Sequence, residues 1–412
     1  MKILHILRTY HPSSGGMYEV VRQISENLAL NGHEITIVTA KITSIPQNNS
    51  PKIKIKQFDI SGNLITGLNG EIEKYQNFVI NGNFDIITVF AAQQVTADAL
   101  FPILSKIKSK KVFVPTGFSA FYIPEYQEYF KKMESWMKGF DMNVFLSDDY
   151  RDINFARKNG VKNICIIPNG ASSEEFLPQS FIDIRGKLNI PKDNFFILHV
   201  GSHTGQKGHR EAIEIFKKAK INNSTFLIIG NNGHCFFDCK KQENKLNKSK
   251  SFKQNNKKLI INHLNREETI AAYKSADLFL FPSNIECSPV VLFECMASKL
   301  PFLTTTAGNA VEIVRWSNGG EILPTKENTN LENYFISKTK KLLKLLMGKI
   351  DNNYHFCKAN VNGSVKILEK LYTNKERLRQ LGENGYRAWE KKFTWEKISK
   401  QYENLYEKLL KN

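Results

Sequence analysis

The chain has 412 residues, a formal charge of +18 and an apolar content of 41%, enough for two domains that each bury a core. No apolar run approaches the roughly 20 residues needed to cross a bilayer, and the opening Met-Lys-Ile-Leu-His-Ile-Leu reads as a first strand rather than a cleavable leader. Six scattered cysteines make no paired framework, so the expectation is a reduced, cytoplasmic chain.

Short apolar strands alternate with amphipathic helices through the first half. Residues 2–7 read as a strand, Gly15-Gly16 as a loop, 18–30 as a helix ended by Gly32, and 34–39 as the next strand. Further strands are expected at 85–90, 111–114, 142–146 and 163–167. Between them, residues 122–140 carry Tyr126, Tyr129, Phe130, Met133, Trp136 and Met137 at helical spacing among lysines. That helix either packs on a sheet or faces an acceptor or a membrane. His5, His11 and His33 read as structural or turn residues.

A second set of units starts after Pro178. Strands are expected at 195–200, 225–230, 259–261, 277–281 and 302–304, with a Gly-rich loop at 201–208 and a helix at 209–220. The Lys/Asn-rich tract at 240–250 reads as a surface insertion. With a second basic tract at 338–349, it carries much of the charge excess, which base composition explains as readily as attraction to an anionic surface. No nucleic-acid-binding module is recognisable, so no nucleic-acid partner is expected. The alternation predicts α/β architecture with doubly wound parallel sheets in two domains.

Two segments carry candidate chemistry. Gly201-Ser-His-Thr-Gly-Gln-Lys207-Gly208 follows a strand and opens a helix, where glycines admit a ligand to the backbone and Lys207 adds a cation. It is neither a P-loop nor a G-x-G-x-x-G fingerprint. Glu286-Cys-Ser-Pro-Val-Val-Leu-Phe-Glu294 runs from the end of the 277–281 strand into a helix. Its two carboxylates can hold sugar and ribose hydroxyls, while the N–H groups between them face an anion. Cys235 and Cys239 lie near His234 and Asp238, but one short segment with no second ligand pair makes a weak metal site, and none is assigned.

The Glu-x7-Glu spacing, with Pro282-Ser283 before it and Ala297-Ser-Lys-Leu-Pro301 after it, resembles the retaining nucleotide-sugar glycosyltransferases of family 4. Gly15-Gly16 with the helix after it, Ile167-Pro-Asn-Gly170, and Phe393-Thr-Trp395 extend the resemblance over most of the chain. It implies the GT-B fold, with two Rossmann-like domains facing a central cleft. The expected boundaries are 1–178 on the acceptor side, 179–385 for the donor nucleotide, and 386–412 as a helix returning to the first domain, with Trp395 as a packing anchor.

The resemblance also implies a metal-independent hexosyltransferase that needs no cofactor; no Asp-x-Asp occurs in the chain. Glu286 and Lys207 would be catalytic, Glu286 on the donor sugar and Lys207 on the leaving diphosphate. Glu294 would hold the ribose, and Gly15, Gly16, Gly201, Ser202, Gly230, Ser288, Pro289, Val290 and Val291 would line the donor site. The donor would be a nucleotide-diphosphate sugar. The acceptor would be a glycan or lipid-linked intermediate of cell-surface polysaccharide, reached by peripheral contact of the basic surface with the inner face of an anionic membrane. Two positions depart from the family: Ser202 stands where an Arg is usual, and Thr116-Gly-Phe-Ser-Ala120 where a His is common. They keep a second reading open, a GT-B protein that binds nucleotide, glycan or a partner enzyme without turnover.

Overall fold

A computed structural model describes residues 1–10, 15–41, 52–179, 182–326 and 357–411. His11 and the basic tract at 338–349 lie outside the described residues. Two compact units divide the chain: Met1–Asn169 with Trp395–Asn412, and Gly170–Thr394.

In chain order the first unit contains β1 (Lys2–Ile6), α1 (Gly16–Leu30), β2 (Glu34–Ala40), β3 (Ile53–Phe58), β4 (Ile60–Asn63), β5 (Gly67–Gly70), β6 (Ile86–Phe90), β7 (Lys110–Val114), α2 (Gln127–Lys138), β8 (Met142–Phe145), α3 (Arg151–Lys158) and β9 (Ile164–Ile166). Seven of these strands form one parallel sheet in the order β3-β2-β1-β6-β7-β8-β9, and β4 with β5 makes a separate antiparallel pair. The order reverses beside β1, which creates a switch point at the strand C-termini.

Strands such as β6, Ile-Ile-Thr-Val-Phe, are buried throughout because helices cover both faces of a parallel sheet. His5 in β1 is fully enclosed, with Nδ1 2.7 Å from Ser25 Oγ. Burial pushes its pKa down to about 3, so it is a neutral core residue. The aromatic stripe of α2 faces the core: Tyr129, Phe130, Met133 and Met137 are buried, and Trp136 stacks on Phe101 at 4.7 Å between ring centroids.

The second unit contains β10 (Phe195–Val200), α4 (His209–Lys218), β11 (Ser224–Ile229), α5 (Phe236–Lys248), β12 (Lys257–Asn262), α6 (Arg266–Ser275), β13 (Leu278–Phe281), α7 (Val290–Ala297), β14 (Phe302–Thr304) and β15 (Gly320–Ile322). Its parallel sheet runs β12-β11-β10-β13-β14-β15, and the switch point lies beside β10. The architecture is α/β with two Rossmann-like units. The Lys/Asn-rich tract expected as a surface insertion lies largely exposed and forms mostly the helix α5. Lys, Glu, Gln and Leu favour helix, and the i, i+7 pair Cys239 and Leu246 buries one stripe against the unit's core.

The final helix, α8 (Trp395–Lys411), belongs to the first unit. Trp395 is buried, Tyr406 Oη meets Thr88 Oγ1 at 2.7 Å, and Glu403 binds both Asn31 (3.0 Å) and His33 (2.9 Å). The units divide at Asn169/Gly170 and again at Thr394/Trp395, where the sequence reading had 178/179 and 385/386. The reason lies in a mutual clasp inside the second unit. Ala171 N–H donates to Phe393 O at 3.0 Å, and Trp389 Nε1–H donates to Ala171 O at 3.0 Å. Among the described residues no helix is long and apolar enough to cross a membrane.

Candidate functional site

Glycines position the loop between β10 and α4. Gly208 has φ +71°, and a Cβ there would sit 1.9 Å from Pro282 O, so only glycine lets the loop close on the end of β13. Asn284 N–H donates to Gln206 O at 2.9 Å and seals that approach. On the other side Gly308, φ +62°, brings its backbone against Cys287 O, 2.4 Å from where a Cβ would stand. Gly208→Ala is expected to destabilise the protein by at least about 2 kcal/mol through strain and collision. Denaturant titration reads this as a lowered midpoint, and an unchanged midpoint contradicts the packing.

The closed loop joins residues far apart in sequence. Lys207 Nζ lies 2.7 Å from Glu286 Oε1, and Ser283 Oγ–H donates to the same oxygen at 2.8 Å. The pair sits at the C-terminal ends of β10 and β13, where an open parallel sheet binds ligands. Gly201 ends β10 and Gly230 ends β11, with Gly230 N–H donating to Asn262 O at 3.1 Å. Ser202 lies in the loop, its carbonyl accepting from Thr204 N–H at 2.7 Å.

Ser288 and Pro289 are buried just before α7, and Val290 and Val291 open it half-buried. The first turn of a helix leaves N–H groups without intrahelical acceptors, at the positive end of the dipole. Glu294, in the second turn, is only 3% exposed. A buried carboxylate needs a counter-charge. Arg266 supplies it, with Nη1 2.5 Å from Glu294 Oε1. Arg266 also pairs with Glu175, and its guanidinium lies 5.6 Å over the Phe176 ring. It opens α6 behind a capping box made by Asn265 and Glu268.

Sequence reasoning missed Arg266. The capping pattern Asn265-x-x-Glu268 marks its helix start but not its partner 28 residues on.

Gly201, Ser202, Lys207, Gly230, Glu286, Ser288, Pro289, Val290, Val291 and Glu294 thus lie together at one end of the second unit's sheet. Gly15 and Gly16 belong to the first unit, where Gly15 (φ +90°) precedes α1 and both are exposed. Of the segment weighed for metal, Cys235 Sγ faces His203 Nδ1 at 3.4 Å and His209 Nδ1 at 3.8 Å. The Cys239 thiol, foremost, and His203 and His209 hold the Cys235 thiol well below its ordinary range.

At the C-terminal end of β7 in the first unit, Thr116, Gly117 and Phe118 all have positive φ (59°, 94° and 48°). Asp152, in the first turn of α3, fastens them by accepting from Gly117 N–H at 2.8 Å. This is where the family resemblance places a histidine. Burial pushes the Asp152 carboxyl up to about 6 from 3.8. A folded-state pKa above the unfolded one contributes stability that is full below about pH 4 and is lost as pH rises through 6, roughly 3 kcal/mol in all. The stability of the wild type relative to Asp152→Asn should therefore fall between pH 4 and pH 7 in denaturant titrations. A pH-independent difference contradicts the shift.

The sequence comparison decides what kind of unit this is. Residues 180–342 match the family described as glycosyl transferases, group 1. These residues are a group 1 glycosyl transferase domain. Lipopolysaccharide glucosyltransferase WaaG of Escherichia coli strain K12 is 21% identical to the chain over 368 residues, 86% of this chain and 94% of that protein. The structure of sucrose-phosphate synthase from Thermosynechococcus elongatus superposes at a TM-score of 0.74 with 17% identity, over 99% of each chain. HepE of Anabaena, solved in complex with UDP and glucose, superposes at 0.69 with 14% identity, over 98% of this chain and 99% of that one. The group 1 domain and its partner unit have the GT-B fold.

Proposed function

We propose that this protein is a retaining glycosyltransferase of family 4 type, moving a sugar from a nucleotide-diphosphate sugar to a glycan or lipid-linked acceptor in cell-surface polysaccharide synthesis. The observation that carries the proposal is the Lys207–Glu286 pair at 2.7 Å beside the start of α7, in a group 1 domain. WaaG's role in lipopolysaccharide and HepE's capture of UDP and glucose support the acceptor class and the donor class.

Lys207 and the N–H groups of Ser288, Val290 and Val291 receive the donor's diphosphate. Glu286, held by Lys207 and Ser283, accepts hydrogen bonds from hydroxyls of the sugar. Glu294, aimed by Arg266, accepts the ribose hydroxyls. The acceptor oxygen bonds to the anomeric carbon as the bond from that carbon to the diphosphate oxygen breaks. Both electrons of that bond leave with the diphosphate, which takes the acceptor's proton. Catalysis consists of positioning and of stabilising the departing anion. Lys207 carries the side-chain charge for that task at a position where Ser202 offers none. The basic surface brings the enzyme to an anionic membrane that holds the acceptor.

The test is turnover with a panel of UDP-, GDP- and ADP-sugars and glycan or lipid-linked acceptors, reading nucleoside diphosphate release and the anomeric configuration of the product. Release with retained configuration is expected. Nucleotide binding without release across the panel would favour the reading of a binding protein without turnover.

A further inference from the structure

The donor-side loop carries a second cluster on residues that the sugar chemistry does not use. His203 lies inside the loop and His209 opens α4; both are buried. Cys235 precedes α5. One ligand atom from each of His203, His209 and Cys235 lies within 4.8 Å of the other two. His203 Nδ1 is 3.4 Å and His209 Nδ1 3.8 Å from Cys235 Sγ.

These separations have a geometric meaning. Zinc bonds of about 2.3 Å to sulfur and about 2.0 Å to nitrogen, at tetrahedral angles, put the two ligand atoms about 3.5 Å apart. The measured pair brackets that value. Tautomers agree as well: His209 Nε2 lies 3.1 Å from Gly201 O, an acceptor, so Nε2 bears the proton and the Nδ1 lone pair faces the sulfur. An imidazole that donates its outer N–H to a carbonyl is the usual outer support of a metal ligand.

Two further observations point the same way. His203 is completely buried, and its Nδ1 is turned to Cys235 Sγ. Gly230 makes room for it: a Cβ at that position would sit 2.7 Å from His203 Cδ2. The backbone is drawn in too, with Cys235 N–H donating to His203 O at 3.1 Å and His203 N–H donating to Asn231 Oδ1 at 3.0 Å.

We propose that His203 Nδ1, His209 Nδ1 and Cys235 Sγ bind a borderline-soft divalent cation of the zinc class, which fastens the 201–208 loop to the start of α5. Nitrogen and thiolate sulfur select such an ion over magnesium or calcium, which prefer oxygen. The metal holds structure and takes no part in the transfer, so the inference stands whether or not the neighbouring site moves a sugar.

Cobalt(II) is the probe. The tag-free, full-length, reduced chain is titrated with Co2+ in a buffer that does not chelate it, reading the thiolate-to-cobalt charge-transfer absorption. One equivalent should saturate the band, and Zn2+ should displace it. Cys235→Ser should abolish the band, and His203→Ala should weaken Co2+ binding at least about 100-fold. Cys357→Ser should leave it unchanged. Circular dichroism establishes that each variant is folded, and His203→Ala serves if Cys235→Ser is not. A folded wild type without the band at one equivalent of Co2+ overturns the proposal, as does a band undiminished in both ligand variants.

Discussion

Lys207→Ala lowers sugar transfer by about 100- to 1,000-fold, the effect expected when one preorganised charge on a departing anion is removed. The loss appears in kcat, because Lys207 meets a charge that grows only as the bond to the diphosphate breaks. Stability changes little. Lys207 is partly open to water at 28% side-chain exposure, and Glu286 keeps its bond from Ser283, so the lost pair costs about 1 kcal/mol or less. Because Lys207 also orients Glu286, Lys207→Ala and Glu286→Gln should be far from additive in ln kcat. Additive losses contradict the pairing, and full activity in Lys207→Ala contradicts its role.

Glu294→Gln should weaken nucleoside diphosphate binding about 10- to 100-fold, since a charged acceptor for ribose hydroxyls becomes a neutral amide. Here stability also falls. Breaking a buried ion pair costs several kcal/mol when the remaining charge is stranded. Arg266, however, is 39% exposed in its side chain and keeps Glu175, so the expected loss is about 1–2 kcal/mol. Calorimetric titration with nucleotide and denaturant titration without it separate the two effects. An unchanged dissociation constant contradicts the assignment of Glu294.

Arg266 shows where sequence reasoning reached its limit. The two glutamates were visible from their spacing, their preceding strand and the helix after them. Nothing in the local pattern ties Arg266 to Glu294; that pairing exists only because α6 and α7 pack in one unit. The imidazole–thiol cluster was missed for the same reason, since Cys235 was weighed with its neighbours His234 and Asp238 rather than with a loop from another β-α crossover.

Strands legible in sequence were the centrally placed ones, such as β10 and β14, whose apolar runs match their burial on two faces. β15 has only Gly-Glu-Ile and owes its strand to pairing with β14. The β4–β5 pair is polar and glycine-rich and gave no alternation to read. Composition hid the helix at α5, where lysine and asparagine looked like a low-complexity surface insertion while Cys239 and Leu246 marked a helical stripe.

The central claim is that the group 1 domain holds a nucleoside diphosphate at the ends of β10 and β13. A thermal-shift panel with UDP, GDP, ADP, CMP and their sugar conjugates tests it most directly. A ligand at about 100 times its dissociation constant adds roughly 2.7 kcal/mol of stability. The account predicts a clear rise in Tm with one nucleoside diphosphate and its sugar conjugate, lost in Glu294→Gln. No rise with any of them, or a rise that Glu294→Gln leaves intact, would contradict it.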